Sequence, residues 1–334
     1  MHSQEEANTP MRRWSRDIAP EIIQFHVEML NDKSRTSGYI KTIRKIVHPG
    51  DVVVDIGTGT GIMAIAAAQA GARRVYAIEA GRIGEVARHL FAINGFADRI
   101  TLLHGWSTKT WLPERADVLI SELIGNEPLA EGVIGITRDA RRRLLKPGAR
   151  LMPSGIKLFG LPVMIPDREL NKLTFTPQTL QNWESWYGIT FGQLAKNGSR
   201  HRHQRLSSRF GYLINPHRIR TWKPLSTPVL LADIDFNSWS SPWILTTKTA
   251  VADAAGRLNA LVMYFELQAG STSFLSTHPT MVDDRNHWLS PVRVFTEPIA
   301  LQSGDQFKVT YWYRPLLFMS GCTVRIAKVN RDLR

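Results

Sequence analysis

The amino-acid sequence predicts an α/β chain in which a doubly wound parallel sheet is followed by a mostly antiparallel β half. Three observations carry this expectation. The stretch VVVDIGTGTGIMAIAAAQAGARRVYAIEA, Val52 to Ala80, runs from a short apolar strand through a glycine turn into an Ala-rich helix and back to a strand. Strand and helix patterns continue to alternate as far as Leu145. After Lys146-Pro147-Gly148 the apolar residues recur at every second position, with turn residues between the runs.

The elements follow in order. Residues 1–15 are polar and read as disordered. Arg16–Val47 is helical in pattern: Ile22, Phe25, Met29 and Leu30 recur at helical spacing, and Tyr39, Ile40, Ile43 and Ile46 form a second run before Pro49-Gly50. Val52–Ile56 is a buried strand, Gly61–Ala70 a helix, Arg74–Glu79 a strand, Ile83–Asn94 a helix and Ile100–His104 a strand. Ala116–Ser121 is the next strand, followed by a loop and a helix near Gly132–Leu145. In the second half Ile156–Val163, Ala260–Glu266 and Phe307–Tyr313 alternate as strands of a barrel or sandwich, interrupted by a helical insertion at Asn182–Leu194. This divides the chain into residues 16–150 and 151–334.

The totals narrow the function classes. The chain of 334 residues has room for two domains. Its single cysteine, Cys322, excludes an internal disulfide framework and a multi-cysteine zinc site. The start, MHSQEEANTP, has no basic cluster followed by an apolar run, so no signal peptide is expected. No apolar run reaches the roughly 18 residues that a membrane span requires. A cytoplasmic location and no membrane partner are the resulting expectations. The net charge of +13 fits a solvated basic surface, or attraction to nucleic acid or an acidic peptide. Lys196–Lys223 carries eight Lys/Arg, three His and no acid. It lacks the regular aromatic interleaving of a strand that stacks bases, so nucleic acid is not the favoured partner.

The chemistry concentrates at two places. In Asp55-Ile-Gly57-Thr-Gly59-Thr-Gly61 the glycines permit a sharp turn and close approach of a ligand to the backbone. Glu79 ends the following strand, where a carboxylate can accept ribose hydroxyls. The loop contains no lysine for a triphosphate. A ribose-bearing ligand with a cationic, phosphate-free tail fits better, and S-adenosylmethionine has both features. The second place is Ser121-Glu122-Leu-Ile-Gly125-Asn126-Glu127-Pro-Leu-Ala-Glu131, at the carboxyl end of a strand, where open α/β sheets bind ligands. Two close carboxylates repel each other unless a cation or a shared proton lies between them, and a guanidinium could bond both in a fork. Taken alone, these two acids also suit a solvated loop.

Together these stretches resemble the protein arginine methyltransferase family of class I S-adenosylmethionine-dependent methyltransferases. That family carries two glutamates nine positions apart after its fourth strand, as at Glu122 and Glu131. Asp55–Gly61 is similar to its cofactor loop and Glu79 to its ribose acid. His26-Val-Glu-Met29-Leu-Asn-Asp32-Lys-Ser-Arg35-Thr is similar to the segment that closes over the cofactor. The resemblance implies that Arg35 binds the methionine carboxylate and Met29 packs near the sulfonium. Asn286-His287-Trp288 resembles the family's Thr-His-Trp loop, in which the histidine pairs with an aspartate matching Asp32. Asn182–Gly188 resembles the start of an arm that joins two subunits head to tail. The implied fold is a Rossmann-like domain with N-terminal closing helices, then a β-barrel domain with a helical dimerisation-arm insertion at about 178–222, and the implied assembly is a homodimer.

The sequence departs from that pattern at several positions. Thr108 stands where a glutamate near the adenine is usual, leaving that contact to backbone and Ser107. Arg16-Asp17-Ile-Ala-Pro20 replaces Tyr-Phe-x-x-Tyr, and Leu123 and Asn126 stand where Trp and Tyr are typical. Flat aromatic walls stack on guanidinium groups, so their loss implies a reshaped acceptor slot. The expected activity is S-adenosylmethionine-dependent methyl transfer, without a metal, to an amine or guanidine nitrogen of a peptide or natural product. S-adenosylhomocysteine would be the product. Glu122, Glu131, His287 and Asp32 are the expected catalytic residues. Met29, Arg35, Asp55, Gly57, Gly59, Gly61, Glu79, Ser107, Thr108 and Glu122 are expected to bind the cofactor, and Glu122, Asn126, Glu131, His287 and Trp288 the substrate. The alternatives are a protein arginine N-methyltransferase, an RNA methyltransferase, or a non-catalytic binding protein. The chain lacks an Asn/Asp-Pro-Pro-aromatic motif for base methylation, and its retained acids argue against loss of catalysis.

Overall fold

The computed structural model describes residues 19–173, 176–192, 211–316 and 319–328, with the backbone alone at 296–297, 316 and 319–328. The disordered segment expected over 1–15, residues 16–18 of the closing helices, and residues 193–210 of the expected arm and basic stretch lie outside the described residues. The first helical region divides into α1 (Pro20–Asn31) and α2 (Lys33–Ile46). Pro20 suits the start of α1, where its missing N–H has no helical partner to lose. Asp32 ends α1 and caps α2 by accepting the Arg35 amide at 2.9 Å. The helical spacing is present, but only α2 turns its apolar stripe inward, through Tyr39 and Ile43. Ile22, Phe25, Val27 and Leu30 of α1 remain exposed.

The doubly wound part follows as β1 (Val52–Ile56), α3 (Ile62–Gln69), β2 (Arg74–Glu79), α4 (Gly84–Ile93), β3 (Ile100–His104), β4 (Ala116–Ser121), α5 (Val133–Arg143) and β5 (Leu145–Met152). The five strands lie in the order β3-β2-β1-β4-β5, all parallel. The order reverses between β1 and β4, which opens a crevice at their carboxyl ends. Lys146-Pro147-Gly148, expected to end this half, lies inside β5. Leu145 pairs with Ala116 and the register then shifts so that Arg150 pairs with Val118. The intervening residues bulge outward, helped by Gly148 at φ 74 and by a proline that needs no ladder partner.

The second half is antiparallel, as expected. It contains β6 (Gly155–Met164), the short α6 (Asp167–Leu170), α7 (Pro177–Tyr187), β7 (Tyr212–Ile214), α8 (Pro216–Ile219), β8 (Lys223–Pro224), β9 (Val229–Asp235), β10 (Ile244–Val251), β11 (Gly256–Ala269), β12 (Thr272–Ser276), β13 (Ser290–Leu301), β14 (Gln306–Leu316) and β15 (Met319–Lys328). The helical insertion begins earlier than its sequence pattern suggests, because Pro177 starts α7; Gly188, at φ 64, terminates that helix, and residues 193 and 194 of the expected span lie outside the described residues. The expected closed barrel is not formed among the described residues. One sheet runs β7-β13-β11-β6-β8, with β12 on β11 and β9 on β6, and a second runs β10-β14-β15. Between β9 and β10 the contact is a side-chain bond, Thr246 Oγ1 donating to the Leu231 carbonyl, in place of a backbone ladder. One continuous apolar core joins the two halves, from Tyr39 and the parallel strands to Phe265, Trp288 and Tyr311. Among the described residues no helix is long and apolar enough to cross a membrane.

Gly61 sits at φ 84 before α3, and an added methyl group would overlap the Phe91 ring. Gly61→Ala is therefore expected to lower the unfolding free energy by roughly 2–4 kcal/mol through strain and overpacking. Urea denaturation reads this directly; a loss below about 0.5 kcal/mol, the range of neutral surface changes, would contradict the packing described.

Candidate active site

The glycine loop leaves β1 at the reversal point of the sheet. The amides of Gly57 and Thr58 both donate to the Ile78 carbonyl, which lays the loop against the end of β2. Asp55 is buried beneath it. Its carboxylate accepts the Thr58 hydroxyl at 2.5 Å and the Ala64 amide, so it braces the turn from below. Burial pushes Asp55 up to about 7, with Glu79 adding to the rise and the Thr58 bond opposing it. Glu79 accepts the Gly59 amide at 2.9 Å on one oxygen and the Gly81 amide at 2.7 Å on the other. Each oxygen retains a lone pair for a hydroxyl. His26 of α1 lies over Gly59, where a Cβ would come within 3.0 Å of its ring. Ser107 is buried in a short turn beside the end of β3, whereas Thr108 is exposed.

Arg35 and Glu122 meet on the opposite wall as a buried ion pair, with Arg35 Nη2 donating to Glu122 Oε2. The Arg35 guanidinium also faces the Met29 carbonyl and sulfur, and it lies 5.7 Å from the Trp288 ring and 6.0 Å from Tyr39. Glu131 turns back beside Gly125, where an added Cβ would meet its Oε1 at 3.0 Å. Burial first, then the charge of Glu122, pushes Glu131 up to about 7, while Arg35 opposes the rise. The residue keeps a face open to solvent, so water moderates the repulsion.

The antiparallel half clamps this carboxylate loop. Trp288 Nε1 donates to the Ile124 carbonyl at 2.8 Å, and the Leu289 amide donates to Asn126 Oδ1 at 2.7 Å. Arg293 pairs with Glu127, and the Tyr313 hydroxyl donates to the Leu129 carbonyl at 3.0 Å. Asp32 Oδ2 accepts both the His287 backbone amide at 3.2 Å and its Nδ1 at 3.0 Å. Burial alone would raise Asp32, but the bonds from His287 and the Arg35 amide outweigh it and hold the carboxyl below its ordinary range. Asn126, expected among the substrate contacts, thus has its side-chain oxygen engaged with Leu289, and Trp288 is 3% exposed, forming a wall behind Arg35.

Two further residues belong to this arrangement. Tyr39, read in the sequence only as an apolar helix position, is fully buried, and its hydroxyl has no hydrogen-bond partner among the described residues. Arg35 Nε is likewise buried and unpartnered. The spacing Arg35/Tyr39 places both on one face of α2, which was the available signal. Arg143 reaches from the end of α5 to the Ser107 carbonyl at 2.8 Å and the Thr110 carbonyl at 2.9 Å, while Asp139 holds its other edge. Its pairing with Asp139 at i,i+4 was readable, its reach to the 107–110 turn was not.

These residues fit S-adenosylmethionine. Two buried donors without partners, Arg35 Nε and the Tyr39 hydroxyl, match a carboxylate. Glu79 matches ribose hydroxyls, and the glycine loop holds no phosphate-binding lysine. No group of acids, histidines or cysteines able to hold a metal is present among the described residues.

The fold and this site define a class I S-adenosylmethionine-dependent methyltransferase. The family model for ribosomal protein L11 methyltransferase (PrmA) matches residues 32–193. The protein arginine N-methyltransferase PRMT10 of Oryza sativa subsp. japonica is 31% identical over 306 residues, covering 85% of this chain and 79% of that protein. An arginine N(omega)-methyltransferase of Streptomyces achromogenes subsp. streptozoticus is 30% identical over 298 residues, covering 85% and 74%. The Trypanosoma brucei PRMT1 enzyme–prozyme heterotetrameric complex with AdoHcy shares the fold, with a TM-score of 0.76 at 23% identity over 92% of this chain and 94% of that one. The chain belongs to the protein arginine N-methyltransferase family.

Glu131 has a folded pKa above its unfolded value, so the stability it contributes is complete below about pH 4.5 and is lost as pH rises towards about 7. A Glu131→Gln variant, neutral throughout, is expected to melt above wild type at pH 8, with the difference shrinking towards pH 4.5. Thermal melts across that range check this, and a difference that stays constant would contradict the raised Glu131 pKa that burial and Glu122 together produce.

Proposed function

We propose that this S-adenosylmethionine-dependent N-methyltransferase acts on the guanidine nitrogen of an arginine, carried as the free amino acid or in a short peptide. The observation that carries the reading is the pair Glu122 and Glu131. One already binds a guanidinium, that of Arg35, and the other is raised to about 7 by burial first and by its neighbour's charge second. A second guanidinium between them would restore the ionised state of both. It would also localise positive charge on the nitrogens bonded to carboxylate, leaving the third to react. The family membership and the name of the Streptomyces relative support the same acceptor chemistry. The net charge of +13, and Leu123 and Asn126 in place of aromatic walls, favour a small acceptor over Arg-rich protein tails.

In this reading Arg35, Tyr39 and Glu79 hold the cofactor at its carboxylate and ribose ends, Met29 packs beside it, and Asp55 keeps the glycine loop in shape. Ser107 and the neighbouring backbone, positioned by Arg143, meet the adenine. Bound there, S-adenosylmethionine supplies an electrophilic methyl group. The chain contributes position: Glu122 and Glu131 orient the acceptor nitrogen, and Trp288 and the His287 loop close the wall and exclude water. Glu131, with its pKa raised to about 7, is suited to take the proton that the acceptor loses, and Asp32 fixes the orientation of the His287 imidazole. We also read the exposed Trp186, Tyr187 and Ile189 of the α7 region as part of a subunit contact.

The test is mass spectrometry of free L-arginine, an Arg-Gly-rich peptide and L-lysine incubated with the full chain and cofactor. Methylarginine from the free amino acid is the expected product. Methylation of lysine alone would overturn the reading, and strong preference for the Arg-Gly-rich peptide would restrict it to proteins. Glu131→Gln should slow transfer by about 10²-fold or more while calorimetric cofactor affinity changes little, because Glu131 meets only the acceptor. Arginine binding at pH 6.5 should also release protons as Glu131 ionises. Equal calorimetric heats in buffers of different ionisation enthalpy would contradict that.

A further inference from the structure

A cavity of about 680 Å³ opens away from the carboxylates, between α5, the bulge of β5 and the turn that follows β9. Four cationic side chains line it, Arg138, Arg141, Arg142 and Lys146, against one carboxylate, Asp139. That carboxylate is already committed: it binds the guanidinium of Arg143, and its contact with Arg142 is a loose 4.0 Å. Lys146 leans on Asp117, outside the lining residues, at 2.8 Å. Arg141 makes no hydrogen bond among the described residues, and the Arg142 side chain is 81% exposed. The lining thus keeps an excess of positive charge, with the exposed Arg142 fork the less neutralised of the two. Asp235, behind the turn, accepts from Asn237 and Ser238, and it also feels the charge of Arg141, which it offsets in part.

The remaining walls are of a different character. Leu145, Leu151, Pro147 and the half-buried Trp239 form an apolar side, and Arg138 ties the turn to α5 by donating to the Ser240 carbonyl at 3.1 Å. Trp239 is itself anchored, its Nε1 donating to the Ser241 carbonyl at 2.8 Å. The volume falls within the range of about 300–1,000 Å³ typical of small-molecule sites. A nucleic-acid strand instead needs an extended groove with successive stacking rings.

We propose that this cavity is a binding site for a small organic anion, an apolar or aromatic body bearing phosphate or carboxylate groups. Arg141 and Arg142 grip the oxyanion and the Trp239 side receives the body. Arginine forks bind either group bidentately, so the two share one chemistry. The site lies on α5, the helix that begins just after Glu131 and sends Arg143 to the 107–110 turn, yet it uses none of the residues assigned to methyl transfer.

The test uses the full chain with S-adenosylhomocysteine present in excess, so that the proposed cofactor site is filled. Uridine monophosphate and citrate serve as the phosphate and carboxylate probes, titrated by calorimetry at about 50 mM salt. Saturable binding of at least one probe is expected, weakened about tenfold or more in the Arg141→Gln/Arg142→Gln double variant, with cofactor affinity unchanged. Amide exchange in the wild-type chain provides a reading that needs no variant: the bound probe should protect residues 135–151 and 237–240. Failure of both probes to saturate would overturn the proposal, as would equal affinity in the double variant or protection elsewhere alone. A uridine oligonucleotide bound through the same arginines more than about 100-fold tighter than the monophosphate would replace the small anion with a nucleic-acid surface.

Discussion

The Asp32 carboxylate is a point at which the N-terminal helices meet the antiparallel half of the chain. One oxygen accepts the Arg35 amide and starts α2; the other accepts the backbone amide and the imidazole of His287, 255 residues away. Each consequence follows from that double use. Because α2 begins at residue 33, Arg35 and Tyr39 fall on the face that looks towards Glu122. Because His287 is held, the adjoining Trp288 and Leu289 reach the carboxylate loop and bond Ile124 and Asn126. A helix cap contributes about 1 kcal/mol. The positional effect is larger than that figure suggests, because three segments far apart in sequence take their registration from one side chain.

The electrostatics of the site are those of a place made to receive charge. Arg35 is buried against Glu122, and removing either partner would strand a charge in a poorly solvated setting. Glu131 is left over: one guanidinium serves two carboxylates, and the second is held near neutrality. A compact protein interior favours closing such an imbalance internally. Here it stays open at Glu131, which keeps a face towards solvent, and under the proposed function that face receives the acceptor. The antiparallel half serves this imbalance by holding the loop still, through Trp288, Leu289, Arg293 and Tyr313.

What could be read in the sequence were the local features. The strand–glycine–helix run, the acid at the end of β2 and the spacing of Glu122 and Glu131 are all within one or two elements of each other, and each has a backbone reason. What could not be read were relations across the fold. The bond from the Leu289 amide to the Asn126 side-chain oxygen is one such relation, since the sequence marks Asn126 only as a substrate contact. Tyr39 looks like core until its hydroxyl is found beside Arg35 without a partner. Lys146-Pro147-Gly148 looks like a boundary because proline and glycine usually stop a strand; a bulge lets β5 pass through them. The unclosed barrel has the same origin, since a Thr246 side chain bridges β9 and β10 where alternation alone suggests a ladder.

The most direct measurement is the calorimetric affinity of the Asp32→Ala chain for S-adenosylmethionine, with a thermal melt alongside. The expected result is affinity weakened about tenfold or more while melting stays cooperative, since the parallel sheet does not rest on this side chain and the placement of Arg35 and Tyr39 does. Wild-type affinity in a folded Asp32→Ala chain would contradict it, and would mean that the cofactor site takes its registration from elsewhere.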